Sequence, residues 1–312
     1  YRRRINLTII HIQTGIVGTI SNALIIYIFI HTSSERTSFN MICVVRAVGN
    51  FIILAWAFLA TFLPITLIGD SPFGPLYETV AIGIANSIYS GIQNTGILIG
   101  LNRFFAIFFP KYYSIIFGIK GTFLALSIIV THRTVKSVFE LIHFLPLECW
   151  MVYTSSDLTW YPSTKPICEE DDNGFDTSTI FLLAMILLNA ATFTKIYFFY
   201  KSTGLDIKER KEKMRKNRSL FLQTFVQDNI TVLDMIFTFK LNSLSTDRAW
   251  TFLCGTVIWE CVHSFDGLIM VMFNQRLSFI KKVLFSSTAN PSVAVQEKMT
   301  GSIVRNNPPP VS

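Results

Sequence analysis

The chain has 312 residues, of which 51% are hydrophobic and only 15% charged, with 28 phenylalanines and a net charge of +7. Charged residues fall well below the quarter or so usual in soluble domains, and a water-soluble fold of this composition would carry large sticky patches. That excludes a soluble globular protein and predicts a multi-pass integral membrane protein, for which the bilayer is the apolar solvent.

A helix needs about 20 apolar residues to cross the hydrocarbon core. The apolar runs predict an all-α bundle of seven spans near Ile9–Ile30, Met41–Ile68, Leu76–Phe109, Ile119–Met151, Thr179–Tyr200, Ser219–Phe239 and Ala249–Phe273. Residues 1–8 then form a short N-terminus, 9–279 the bundle, and the Ser-, Asn- and Pro-rich stretch 280–312 a disordered tail. No cleavable leader is visible, and the first apolar run reads as a helix that stays. Pro64 and Pro110 lie near span ends, where proline kinks or stops a helix. No internal repeat of the inverted-transporter kind is found.

Lys/Arg bias sets orientation. The segment KSTGLDIKERKEKMRKNR between spans five and six is dense in basic residues, and Arg36, Lys111, Lys120, Arg276, Lys281 and Lys282 fall on its side, which is therefore cytoplasmic. The loop after span four carries Asp157, Glu169, Glu170, Asp171, Asp172 and Asp176 against Lys165, and is extracellular, as is the N-terminus. Arg2, Arg3 and Arg4 run against this and are outvoted by the loops. Span four is interrupted by THRTVKS; His132, Lys136, Glu140 and His143 share one helical face, predicted to look into the bundle, with Arg133 off that stripe. A degenerate segment is the competing reading.

Polar groups inside the membrane are functional candidates because burying them is costly. Counting the helical rise puts Asn22 about 12 Å and Asn50 about 15 Å from the inner ends of their spans, with Asp228 and Asp266 at about 10–14 Å. His263 is one turn above Asp266. These five make one layer, able to form a hydrogen-bonded network or to hold a proton or ion that differs between two helix arrangements; the competing reading is helix packing. Nearer the outside, Asn86, Tyr89 and Gln93 occupy one face of span three, with Trp56 and Asp234 at similar depth, a candidate ligand pocket.

Cys149 and Cys168 both fall in the outer compartment, where pairing is favoured. Asn6-Leu7-Thr8 is a glycosylation sequon. No HExxH, GxSxG, P-loop or GxGxxG pattern occurs and the histidines have no metal-ligand spacing, so no catalytic residue, metal site or cofactor is expected. The basic loop beside a membrane reads as an orientation signal or partner-docking surface, not a nucleic-acid site.

ILIGLNRFFAIFFPKYYSIIF at the end of span three resembles the nematode chemoreceptor family called serpentine receptor class X, a family of seven-helix G-protein-coupled receptors. SFNMICVVRAVGN, CWMVYTSSDLTWYP with the later Cys168, Asn189 to Ile196, FLQTFVQDN and WECVHSFDGLIMVMFN match in the same order, so the resemblance covers about Gly15–Arg276. It implies a rhodopsin-like receptor in the plasma membrane of sensory-neuron cilia that binds an external small molecule and activates a heterotrimeric G protein. It also implies paired cysteines in the second outer loop, since span three offers no cysteine at its outer end for the usual bridge. Asn102-Arg103-Phe104 sits where rhodopsin-like receptors carry an acidic-Arg-aromatic triplet, which implies that Arg103 engages the G protein or holds the inner ends together; Asn102 supplies no carboxylate to hold it. Two other readings stay open: a transporter or channel using Asp228, Asp266 and His263, and a degenerate receptor that does not fold.

Overall fold

Caps and prolines divide the apolar runs into helices. The structure, a computed structural model, describes residues 2–155, 158–168, 173–202, 207–245 and 247–274. Asp157, Glu169, Glu170, Asp171, Asp172, Arg276, Lys281, Lys282 and the tail 280–312 lie outside them. Helix α1 is Arg2–His31. α2 is Ser38–Ile68, opened by Thr37, whose side chain accepts from the Asn40 N–H at 3.2 Å. α3, Pro75–Phe108, starts on a proline whose missing N–H is unused in a first turn. It stops before Pro110, which opens a short helix Pro110–Ile116 bent by 59° from α4, Ile119–Phe144. α5 is Asn173–Ser202 and α6 is Ile207–Ile236. α7 is Arg248–Phe273, capped by the Asp247 carboxylate, which accepts from the Ala249 N–H at 2.9 Å.

Among the described residues, α1 from His11, α2 and α7 are each long and apolar enough to cross a membrane, and the bent pair ending in α4 is a fourth if it counts as one span. α3 and α6 are equally long but more polar, and α5 carries a shorter apolar stretch, Leu183–Phe198. α3 packs against α2, α4 and α5, while α1 lies on α2 and α7, and α6 on α5 and α7. Among the described residues three stretches are π-helical: Ile53–Phe62 in α2, Phe237–Leu241 continuing α6, and Leu253–Val257 in α7. The first ends just ahead of Pro64, whose ring would clash with a tightly wound preceding turn.

Several expectations are corrected. α4 ends at Phe144 rather than Met151, because Pro146 cannot continue a helix. Met151–Thr154 (β1) and Thr159–Pro162 (β2) instead form an antiparallel hairpin, Met151 opposite Pro162 and Thr154 opposite Thr159. Most of the basic segment after α5 is helical as the start of α6, in keeping with straight-chain Lys, Glu and Arg at helix-compatible spacing; residues 203–206 are outside the described set. α4 is also turned by about a quarter turn from the expected orientation. Ile128, Val135, Phe139 and Ile142 form an exposed apolar face, His132 and His143 are exposed, Lys136 and Glu140 lie at the edge of the cavity toward α3, and Ser137 and half-buried Arg133 look into it. The four apolar side chains recur at helical spacing and take the outer face as a set, which leaves the polar residues opposite them facing in.

The hairpin covers one end of the core. Tyr153 is 2% exposed and its ring stacks on Phe62 at 4.6 Å, in a cluster that includes Phe58, Phe252 and Trp259. The Tyr153 N–H donates to Glu78 Oε2 at 2.7 Å, and its hydroxyl lies 3.2 Å from Thr66 Oγ1. A Cys149–Cys168 disulfide joins the two flanks of the hairpin.

Candidate functional site

The polar layer is built around Asp266 on α7. Its Oδ2 accepts from Arg46 Nε at 2.7 Å and from Asn50 Nδ2 at 2.6 Å, and its Oδ1 accepts from Gln227 Nε2 at 2.7 Å. Arg46 and Asn50 are one turn apart on α2, so one helix face delivers both donors, and Gln227 arrives from α6. Because Asn50 spends its amide N–H on Asp266, its Oδ1 is left to accept, and His263 Nδ1 lies 2.7 Å from it as the donor. Asn22 on α1 donates to the His263 carbonyl at 3.2 Å and the Gly18 carbonyl at 2.9 Å, and its Oδ1 lies 3.5 Å from Asn50 Nδ2. Four helices are thereby tied at one level. Asp228 accepts from Asn189 on α5. A β-carbon at Gly96 would lie 4.0 Å from Asp228 Oδ1 and 3.4 Å from Arg46 Nη1. The guanidinium thus stands near both carboxylates, and a cation is built into the place where the sequence suggested room for an ion.

At the other end of α3 from the hairpin, Arg103 Nη1 donates to Thr224 Oγ1 of α6, and the guanidinium sits 5.1 Å over the Phe39 ring of α2. Among the described residues its Nη2 has no hydrogen-bond partner. Asn102 turns away to Tyr113 of the short helix, with Nδ2 3.3 Å from the hydroxyl, and Phe104 stacks on Phe108 at 4.4 Å. A hydroxyl, not a carboxylate, holds the arginine.

The candidate pocket residues divide between two places. Tyr89 donates its hydroxyl to Asp234 of α6, and its ring meets those of Trp259 and His263 at 6.4 and 5.8 Å. Gln93 is a neighbour of the same hydroxyl. Asn86, in contrast, lines a cavity between α3 and α4, and Trp56 donates Nε1 to Tyr77 at 2.9 Å.

Sequence reasoning missed Arg46, Gln227, Glu78 and the buried pair His11–Glu260, whose Nδ1 and Oε2 are 2.5 Å apart between α1 and α7. For Arg46 and Glu260 a signal was present, an ionisable residue inside an apolar run.

Residues 12–274 match the family described as serpentine type 7TM GPCR chemoreceptor Srx. The chain is also 24% identical over 285 residues to Serpentine receptor class X 45 of Caenorhabditis elegans, an alignment spanning 84% of this chain and 77% of that protein. With the family pattern running across most of its length, through every residue of the polar layer and the Arg103 contact, the chain belongs to the serpentine class X chemoreceptor family of multi-pass membrane receptors.

Proposed function

We propose that this receptor binds an external small molecule between the hairpin-side halves of its helices and activates a heterotrimeric G protein at the opposite end. On this reading the bundle is rhodopsin-like, the N-terminus and hairpin are extracellular, and the receptor works in the plasma membrane of sensory-neuron cilia. The observation that carries the proposal is the way α6 is held. Its middle is held by Arg103–Thr224 and, one turn on, by Gln227–Asp266, and its hairpin-side end by Tyr89–Asp234. A ligand that takes over a contact of Tyr89, Gln93 or Asp234 changes the balance along the whole helix, since a ligand shifts a two-state element by its differential affinity for the two states. Release of Thr224 then frees Arg103 for the G protein. Asn86 and Trp56 are assigned to the walls of the ligand-binding region.

The test is a panel of small soluble and volatile compounds applied to cells that express the chain with a G-protein readout. An active compound should lose its effect in Arg103→Ala while surface delivery stays normal; an undiminished response in that variant would remove Arg103 from the mechanism.

A further inference from the structure

The interruption THRTVKS of α4 has no part in the signalling proposal, yet two cavities meet at it. The larger, about 680 Å³, lies between α3 and α4, is lined by Asn86, Ser87, Ser90 and Ser137 with the paired Lys136 and Glu140, and reaches Trp150 and Cys168 at the hairpin. The smaller, about 200 Å³, is walled by Val48, Ile52, Ile88, Ile92, Ile129 and Val130. Ser87 and Arg133 line both. Arg133 therefore stands at the boundary between a polar chamber and an apolar one.

Its charge has no direct ion-pair partner among the described residues, and Glu140, on the wall of the same cavity, acts on it only at longer range. Lys136 is paired with Glu140 at 3.3 Å, and among the described residues no carboxylate lies within ion-pair distance of Arg133. With the Asn94 amide turned so that its oxygen faces the guanidinium, Arg133 donates Nε and Nη2 to it at 3.0 and 3.2 Å. Ser87 Oγ donates to the Arg133 carbonyl at 3.1 Å and fixes the helix against α3. A guanidinium has five N–H donors, so donors remain for a second acceptor. A guanidinium without a direct ion-pair partner in a membrane helix is costly, and a planar oxyanion is a partner that offsets it, by charge-assisted hydrogen bonds.

We propose that this is a binding site for a small amphiphilic anion, with a carboxylate or phosphate head on Arg133 and a short apolar chain in the chamber of Ile88, Ile92 and Val130. The interruption of α4 is then what supplies the head-group contact. This site shares the Asn86 wall with the proposed ligand-binding region but not Tyr89 or Asp234, and its test reads binding rather than signalling, so neither proposal falls with the other.

The experiment uses the full chain purified into phosphatidylcholine nanodiscs, with decanoate as probe and decanol as its uncharged counterpart. Decanoate should bind saturably and decanol far more weakly. Arg133→Gln should weaken decanoate by roughly tenfold or more, the loss expected for a charged hydrogen-bond partner. Gly91→Leu, whose new side chain starts 3.9 Å from Arg133 Cγ, should weaken it by filling the chamber. If Arg133→Gln does not fold, the Gly91 variant and the decanol comparison still decide. Absence of saturable decanoate binding in these discs, equal binding by Arg133→Gln, or decanol binding as tight as decanoate overturns the site. Repeating the titration in phosphatidylglycerol discs identifies the source: displacement of decanoate supports the site with a bilayer lipid as occupant, and undiminished binding supports it with a free acid.

Discussion

Arg46 donates Nε to Asp266 Oδ2 at 2.7 Å across the α2–α7 interface, and each residue is 3% exposed. Asp266 also receives Asn50 and Gln227, so its charge is matched by three donors from two helices. Such a pair holds helices in register, and removing one member leaves the other charged and alone.

Asp266→Ala and Arg46→Ala should therefore each destabilise the folded receptor by about 3–5 kcal/mol, whereas Arg46→Met with Asp266→Met should recover much of that loss. Thermal unfolding in detergent measures both arms. A single variant as stable as the wild type would show that the pair does not hold the helices together.

Thr224→Val removes the hydroxyl that accepts from Arg103 while keeping the shape of the side chain. A hydrogen bond to a charged group contributes about 1.5–3 kcal/mol. Its loss should raise ligand-free G-protein output by roughly tenfold where that bond favours the resting arrangement. Basal output at the wild-type level would mean that the contact is not the latch.

Depth along a helix was legible in the sequence; azimuth and partner were not. A constant rise put Asn22, Asn50 and Asp266 at one level, and in the structure they share hydrogen bonds. Arg46 lies one turn from Asn50 and was readable as an intramembrane charge, but its carboxylate is more than two hundred residues away, and no local pattern carries that pairing. The facing of α4 was misread because the charged residues were followed instead of the apolar set Ile128, Val135, Phe139 and Ile142, which decides which side meets lipid. The hairpin was hidden because LIHFLPLECWM continues an apolar run, and only Pro146 marks the break. The π-helical stretches left no sequence signal beyond Pro64.

Glu78 and the Cys149–Cys168 disulfide hold the hairpin from two sides. Glu78→Ala leaves the buried Tyr153 N–H without its acceptor, at a cost of about 1–3 kcal/mol, and Cys149→Ser removes a cross-link worth about 2–4 kcal/mol. Both should speed amide exchange over 151–162, and more so together; unchanged exchange in the double variant would show that ring packing alone anchors the hairpin.

Burial raises the Tyr153 phenol above its ordinary value. The unfolded chain then releases that proton first, so this contribution is present below about pH 10 and is lost as pH rises beyond it. The difference in stability between wild type and Tyr153→Phe should thus shrink above about pH 10. A difference that stays constant from neutral to alkaline pH would separate the phenol from the alkaline response.

The α1–α7 contact depends on glycine. A β-carbon at Gly18 would fall 2.6 Å from Ser264 Cα, and one at Gly267 would fall 2.6 Å from Asn22 Cγ. Both obstacles lie where the network is tightest, since the Gly18 carbonyl accepts from Asn22 at 2.9 Å and Ser264 Oγ donates to the Thr14 carbonyl at 2.9 Å. Backbone cannot swing aside as a side chain can, so Gly18→Ala should push α1 off α7 and cost about 1–3 kcal/mol. Gly15→Ala meets chiefly the flexible end of Leu59, at 2.8 Å, and should cost less. Thermal unfolding of the two variants side by side gives the ordering. If Gly15→Ala proved the more damaging, close backbone approach at Gly18 would not be what sets the α1–α7 distance, and the alignment of Asn22 with His263 would have to come from the hydrogen bonds alone.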